Sequence, residues 1–265
     1  MKLRWIAGYG PAFVLTVTLL ALWEITVRGG QVSAYFLPSP TAIGQALYAN
    51  WNIIAVNTMQ TLLETVIGIL VATLLGLVLA ILLDTSQWVR RAIYPLLVIS
   101  QTIPIVALAP LLLIWFGFDI GPKVIVVTLY CFFPIAVACA DGLASAEPEM
   151  LRLLRSMHAS RWQILWLVRL PGAMPSFFSG LRIAATYSVT GAIVGEFVGA
   201  YQGLGIYMVN SANSHAIVLV FAAIVVTAVL SLFLFGLVSL IERIALPWYH
   251  GTVGVLKQAP THLRA

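Results

Sequence analysis

Apolar residues run through this chain in long blocks, and polar residues collect in short breaks between them. Six blocks, at roughly 11–27, 53–83, 92–116, 123–140, 173–199 and 215–241, are long enough or nearly so to cross a hydrocarbon layer. Such a layer is about 30 Å thick and a helix rises about 1.5 Å per residue. They predict an all-α polytopic membrane protein with about six transmembrane helices, the whole of residues 1–265 forming a single transmembrane domain. The first block follows Lys2 and Arg4 as a signal peptide would. No small-residue cleavage site follows Glu24 and Arg28, so it reads as a retained helix. The third block carries Pro95, Pro104 and Pro110 and is expected to be kinked or broken.

The longest hydrophilic stretch, about 141–172, is patterned. Asp141 to Pro148 reads as a short loop, and Met150 to Trp166 lacks Gly and Pro while mixing arginines with large apolar residues. One or two short helices are expected there, with Leu154, Met157, Ile164 and Leu165 on an apolar side and Arg152, Arg155 and Arg161 on a basic one. Such a segment fits either a helix lying on anionic lipid or a docking element for a soluble partner.

Composition excludes other classes. Hydrophobic residues make up 61% of the chain and charged residues 9%, against about a quarter charged in a soluble domain. With a mean hydropathy of +1.01, so much apolar mass cannot be hidden in a globular core. Cys131 and Cys139 lie inside an apolar block and read as small hydrophobes rather than a redox pair or metal site. The net charge of +5 points to topology and not to nucleic acid. With the N-terminus cytoplasmic, the inner segments hold Lys2, Arg4, Arg90, Arg91, Arg152, Arg155, Arg161, Arg169, Arg243, Lys257 and Arg264, and the outer ones only Arg28 and Lys123. That asymmetry predicts that both termini and residues 141–172 are cytoplasmic. Trp5, Trp23, Trp51, Trp88 and Trp248 fall near the expected interfaces and read as anchors, and His215 as an exposed polar residue.

Within the second block Gly68, Ala72, Gly76 and Ala80 recur every four residues, one turn after Glu64, and Gly191, Gly195 and Gly199 do so in the fifth. Both ridges allow close helix packing. Arg182, Thr186 and Thr190 fall on the side of the fifth helix opposite its glycines. Thr186, Thr190 and Glu196 are candidates to line a path or its outer gate, since polar groups inside spans usually face a wet interior. Glu196 fits equally a structural role beside the Gly203-Leu204-Gly205 loop. Glu64 reads as a cap or tether of a helix longer than the membrane, and Arg182 as a snorkelling anchor.

The run Met157-His158-Ala159-Ser160-Arg161-Trp162-Gln163-Ile164-Leu165, followed by Val168-Arg169-Leu170-Pro171 and Gly180-Leu181-Arg182-Ile183-Ala184, resembles the coupling segment of ABC importer permeases. Aligned through Leu170-Pro171, the signature glycine of that family falls on His158 and its Glu-Ala-Ala on Arg152-Leu153-Leu154. A glycine there permits a left-handed turn that a histidine finds costly. The resemblance extends to Leu37-Pro38-Ser39-Pro40, to Leu108-Ala109-Pro110-Leu111 with Trp115-Phe116-Gly117, and to Gly195-Glu196 with Gly203-Leu204-Gly205.

The resemblance implies the type I importer permease fold in a bacterial inner membrane. Its implied partners are a cytoplasmic ABC ATPase dimer, a second permease subunit (most simply a copy of this chain), an external substrate-binding protein and membrane lipid. Arg152, Arg155, Met157, His158, Ala159, Ser160, Arg161, Leu170 and Pro171 would contact the ATPase. No Gly-x-x-x-x-Gly-Lys-Ser/Thr loop occurs, so this chain is expected to be no enzyme and to carry no cofactor, with ATP and magnesium on the ATPase. Its motifs look closest to permeases for pyrimidine thiamine precursors or riboflavin, with taurine, sulfonate or nitrate as the alternative. A secondary transporter would need mid-membrane coupling carboxylates and repeated halves, and an intramembrane enzyme a nucleophile with a base. Neither set is found.

Overall fold

The structure, a computed structural model, describes residues 2–30, 32, 33 and 35–249, with side chains from Gly10 onward. The side chain of Trp5, and Lys257 and Arg264 with the C-terminus they mark, lie outside the described residues. Eleven α-helices follow one another without a strand among the described residues. They are α1 (Lys2–Arg28), α2 (Pro40–Ala49), α3 (Trp51–Thr85), α4 (Gln87–Ser100), α5 (Ile105–Phe116), α6 (Ile120–Ala144), α7 (Pro148–Ser156), α8 (Arg161–Ile164), α9 (Leu170–Phe197), α10 (Leu204–Asn213) and α11 (Ile217–Ala245). A π-turn, Leu165–Arg169, joins α8 to α9.

Five of these rods are long and apolar enough to cross a membrane, and six if α4 and α5 count as one broken span. The third expected block is that pair, bent by 95°. The break has a chemical cause. Pro104 has no N–H and disfavours helical backbone at Ile103, and the hydroxyls of Ser100 and Thr102 turn back onto Leu97 O and Ile99 O. Pro95 and Pro110 sit inside their helices.

The chain divides into two compact units. The first comprises residues 1–60 and 201–228. In it Ser39 caps α2 with Pro40 at the first helical position, the arrangement in which a proline loses no hydrogen bond. Glu24 fastens α1 to that cap, accepting from Thr41 N at 3.1 Å and Thr41 Oγ1 at 2.8 Å. Trp23, half-buried, packs against Phe221 with ring centroids 6.3 Å apart. Asn57 Oδ1 accepts from Gly203 N at 2.8 Å and holds the loop that opens α10.

The second unit, residues 61–200 and 229–249 among those described, is built on α6 and α9 lying antiparallel. Absent side chains set their spacing. A Cβ on Gly180 would fall 2.7 Å from Pro134 O and from Ala138 Cβ, and one on Gly142 2.8 Å from Ser176 Cβ. Gly191 meets Val127 and Tyr130, and Gly195 meets Lys123. On the other side of α6, Gly68 lies on Val127 and Gly76 on Ile135. Glu64, Gly68, Ala72, Gly76 and Ala80 are all buried, so the ridge read from the sequence is a packed seam.

Three sequence expectations are corrected. Asp141 to Ala144 form the last turn of α6 and the loop shrinks to Ser145–Glu147, because helical bonds continue to Ser145 N. The last helix of the hydrophilic stretch does not stop before the membrane. It runs through the π-turn into α9 as one rod of 37 residues. Pro171, which has no N–H, is accommodated because Leu170 N reaches back five residues to Leu165 O. Gly199 lies past the end of α9, and the ring of Phe118 fills the place a Cβ would take, 2.7 Å away.

Candidate functional site

Two helix caps shape the hydrophilic segment. Helix α7 starts with Pro148 and Glu149 in its first turn, the preferred ends for a proline and an acid. It ends in a Schellman turn, with His158 N bonded to Arg155 O and Ala159 N to Leu154 O, each at 3.0 Å. That turn requires a left-handed residue, and His158 supplies it at φ 59°. The cost expected of a histidine at this position is therefore present in the fold. Ser160 then opens α8 with a capping box, accepting from Gln163 N while its own N–H donates to Gln163 Oε1 at 2.8 Å.

The expected single apolar side divides. Ile164 and Leu165 are buried against the body of the protein, whereas Met157 is 70% exposed and Trp162 65%. Met150 and Leu153 are also exposed, as are Arg152, Arg155 and Arg161. Large exposed apolar side chains beside three arginines form a patch of the kind that interfaces cover. Ala159 and Leu170 are half-buried, and Ser160 and Pro171 exposed.

Helix α9 continues from this patch. Ala184, Ser188, Gly191, Ala192 and Gly195 are buried on one side, and Ile183, Thr186, Tyr187 and Thr190 are exposed on the other. Thr186 bonds back to Arg182 O at 3.2 Å. Glu196 does not share that open side. It is fully buried, and its Oε1 accepts from Thr61 Oγ1 at 2.7 Å. One turn along α3, Glu64 faces Lys123 of α6 at 3.7 Å, with both side chains buried. Lys123, counted from the sequence among the exposed outer charges, instead neutralises a buried carboxylate, which a lone buried acid would require.

Three further charge pairs join helices, and the sequence alone does not announce them. Arg182 meets Glu242 of α11 at 3.4 Å, so it is paired rather than snorkelling. Arg169 meets Asp84 at the end of α3. Arg90 of α4 meets Asp141 at 3.1 Å, and Tyr94 donates to the same carboxylate. Partners 51 to 85 residues apart leave no local periodicity by which to find them. His215, like His158, takes the left-handed position of a Schellman turn, at φ 60°, closing α10 through Ala216 N to Ser211 O at 2.8 Å.

A family profile described as "binding-protein-dependent transport system inner membrane component" matches residues 72–244. The chain is 38% identical to a probable ABC transporter permease protein of Haemophilus influenzae over 89% of its own length and 94% of the relative's. It is 39% identical to the formylaminopyrimidine transport permease protein ThiX of Halalkalibacterium halodurans, covering 87% and 92%. To the riboflavin transport system permease protein RibX of Chloroflexus aurantiacus it is 34% identical, covering 90% and 91%. Relatives at lower identity are named for taurine, aliphatic sulfonates and nitrate. The match spans both the exposed segment and the packed helices, and it makes the chain a multi-pass transport subunit rather than an enzyme, one of the binding-protein-dependent ABC importer permeases.

Proposed function

We propose that this permease carries a pyrimidine thiamine precursor or a riboflavin-like vitamin, delivered by an external binding protein, and that α7 and α8 are its coupling element. The substrate reading is supported by the names of the formylaminopyrimidine and riboflavin permeases; taurine, sulfonate or nitrate is the second reading. The coupling reading is carried by one observation. Met157 and Trp162 stand exposed between Arg152, Arg155 and Arg161 on a turn that leads without a break into α9.

In this account the ATPase grips Met157 in an apolar groove while the arginines make its rim. ATP and magnesium stay on that partner. Closure of the ATPase dimer draws the coupling turns of two permease copies together, and the continuous rod from Arg161 to Phe197 carries the motion into the membrane. A drive of this kind works only through contacts that differ between the two states. A single permease type is most simply used twice, about a two-fold axis. Thr186 and Thr190, exposed on α9, line the path. Glu196 holds α3 to α9 through Thr61 and serves the outer end as an anchor. Both termini and residues 141–172 face the cytoplasm. The substrate reading is tested by calorimetric titration of the co-purifying external binding protein with formylaminopyrimidine, riboflavin and taurine. Binding of taurine alone would replace the first reading by the second.

A further inference from the structure

A cavity of about 900 Å³ lies between the junction of α3 with α4 and the segment Arg155–Arg169, and its lining is strongly basic. Arg90, Arg155, Arg161 and Arg169 line it, and Asp84 is the only acidic residue of the lining among the described residues. That carboxylate is already held by Arg169, and Arg90 is held by Asp141. No ion pair among the described residues involves Arg155 or Arg161. Ile81, Leu83 and Trp162 supply an apolar wall beside these donors.

From this arrangement we infer that the cavity is an anion site for a phosphate group, bound by Arg155 and Arg161. The planar forks of arginine match the oxygens of a phosphate, and a carboxylate-poor cavity leaves their charge for a ligand. A cavity of this size takes a small organic phosphate or a lipid headgroup. The apolar wall suits the start of an acyl chain, and the open basic side suits a free polyphosphate. Arg155 and Arg161 are the same arginines that the coupling reading gives to the ATPase rim, so the anion site belongs to the permease without its ATPase and is tested in that state.

The test uses the full-length permease without ATPase. Native mass spectrometry of protein taken from phosphatidylcholine nanodiscs, with and without phosphatidylglycerol, reads retained lipid; calorimetry in neutral detergent with pyrophosphate reads a free anion. Retention of phosphatidylglycerol assigns a lipid source, and binding of pyrophosphate alone a soluble one. In either case Arg155→Gln with Arg161→Gln should weaken binding about tenfold or more, the scale of lost charged hydrogen bonds. Arg243→Gln, a basic residue of α11 outside the cavity, should leave it unchanged. Ser86→Asp offers a second route should the double variant fail to fold. Ser86 lines the cavity and caps α4, and aspartate keeps the cap while placing a negative charge in the site. Binding that survives Ser86→Asp, falls equally in Arg243→Gln, or is absent for both probes overturns the inference.

Discussion

His158 offers a local test of the turn that closes α7. Its φ of 59° is imposed by the Schellman bonds of His158 N and Ala159 N to Arg155 O and Leu154 O. A left-handed residue with a Cβ costs about 1–2 kcal/mol, and glycine removes that cost while losing about 0.5–1 kcal/mol in unfolded-chain entropy. His158→Gly should therefore strengthen the turn by about 0.5 kcal/mol, a little over twofold in its opening equilibrium. His158→Val should weaken it by about 1 kcal/mol, roughly fivefold, because β-branching crowds the left-handed well. Amide hydrogen exchange at residues 158 and 159, followed by mass spectrometry of the peptide covering α7, reads both changes. The two variants should differ by about tenfold in protection. Equal exchange in the glycine and valine variants would refute the claim that this turn is held left-handed.

Other predictions concern packing, path and topology. Gly180→Leu should lower the thermal unfolding temperature in detergent by the equivalent of about 1–3 kcal/mol, since a Cβ there meets Pro134 O and Ala138; Gly172→Ala, with nothing near its Cβ, should be neutral or stabilise slightly, by up to about 1 kcal/mol. An unaffected Gly180→Leu would contradict the close α6–α9 contact. Thr190→Leu should lower uptake while basal ATP hydrolysis of the assembled importer stays near normal, and unchanged uptake would remove Thr190 from the path. Glu196→Gln keeps an acceptor for Thr61 and should transport close to normally; a transport loss without loss of stability would restore Glu196 to the path. A cysteine probe at Ser214 should label from outside intact cells and one at Ser160 should not, with the native Cys131 and Cys139 buried and silent. The reverse pattern would invert the proposed topology.

Helix existence was legible in the sequence because apolar length and small-residue spacing are local signals. The ridge from Glu64 to Ala80 and the pairing of Gly191 with Gly195 follow from spacing alone. The turn at residues 157–160 was legible through a resemblance to a motif whose glycine the chain lacks. Its geometry persists because the backbone bonds of α7 demand it whichever side chain is present. The bend between α4 and α5 was announced by prolines, but its size depends on how Ser100 and Thr102 satisfy the freed carbonyls. Long-range pairing was not legible. Nothing local distinguishes Lys123, buried on Glu64, from a headgroup lysine, or Arg182 on Glu242 from a snorkelling one. Glu196 shows the same limit. Its helical angle places it at the edge of the polar side, and only the position of α3, with Thr61, makes it interior.

If the exposed turn around Met157 transmits ATPase motion to α9, as proposed, co-purification of the ATPase should depend on Met157, and Met157→Asp is the decisive variant. Interface energy concentrates in a few buried anchors, and a carboxylate in an apolar groove costs several times a rim contact. Met157→Asp should abolish co-purification, and Arg161→Ala should weaken it by about 1 kcal/mol, or roughly fivefold, as a rim charge does. Both variants should keep normal helix content and membrane insertion, since Met157 is 70% exposed and Arg161 is exposed. A Met157→Asp permease that retains a full complement of ATPase and substrate-stimulated hydrolysis would contradict the coupling assignment and leave residues 141–172 as a segment lying on lipid.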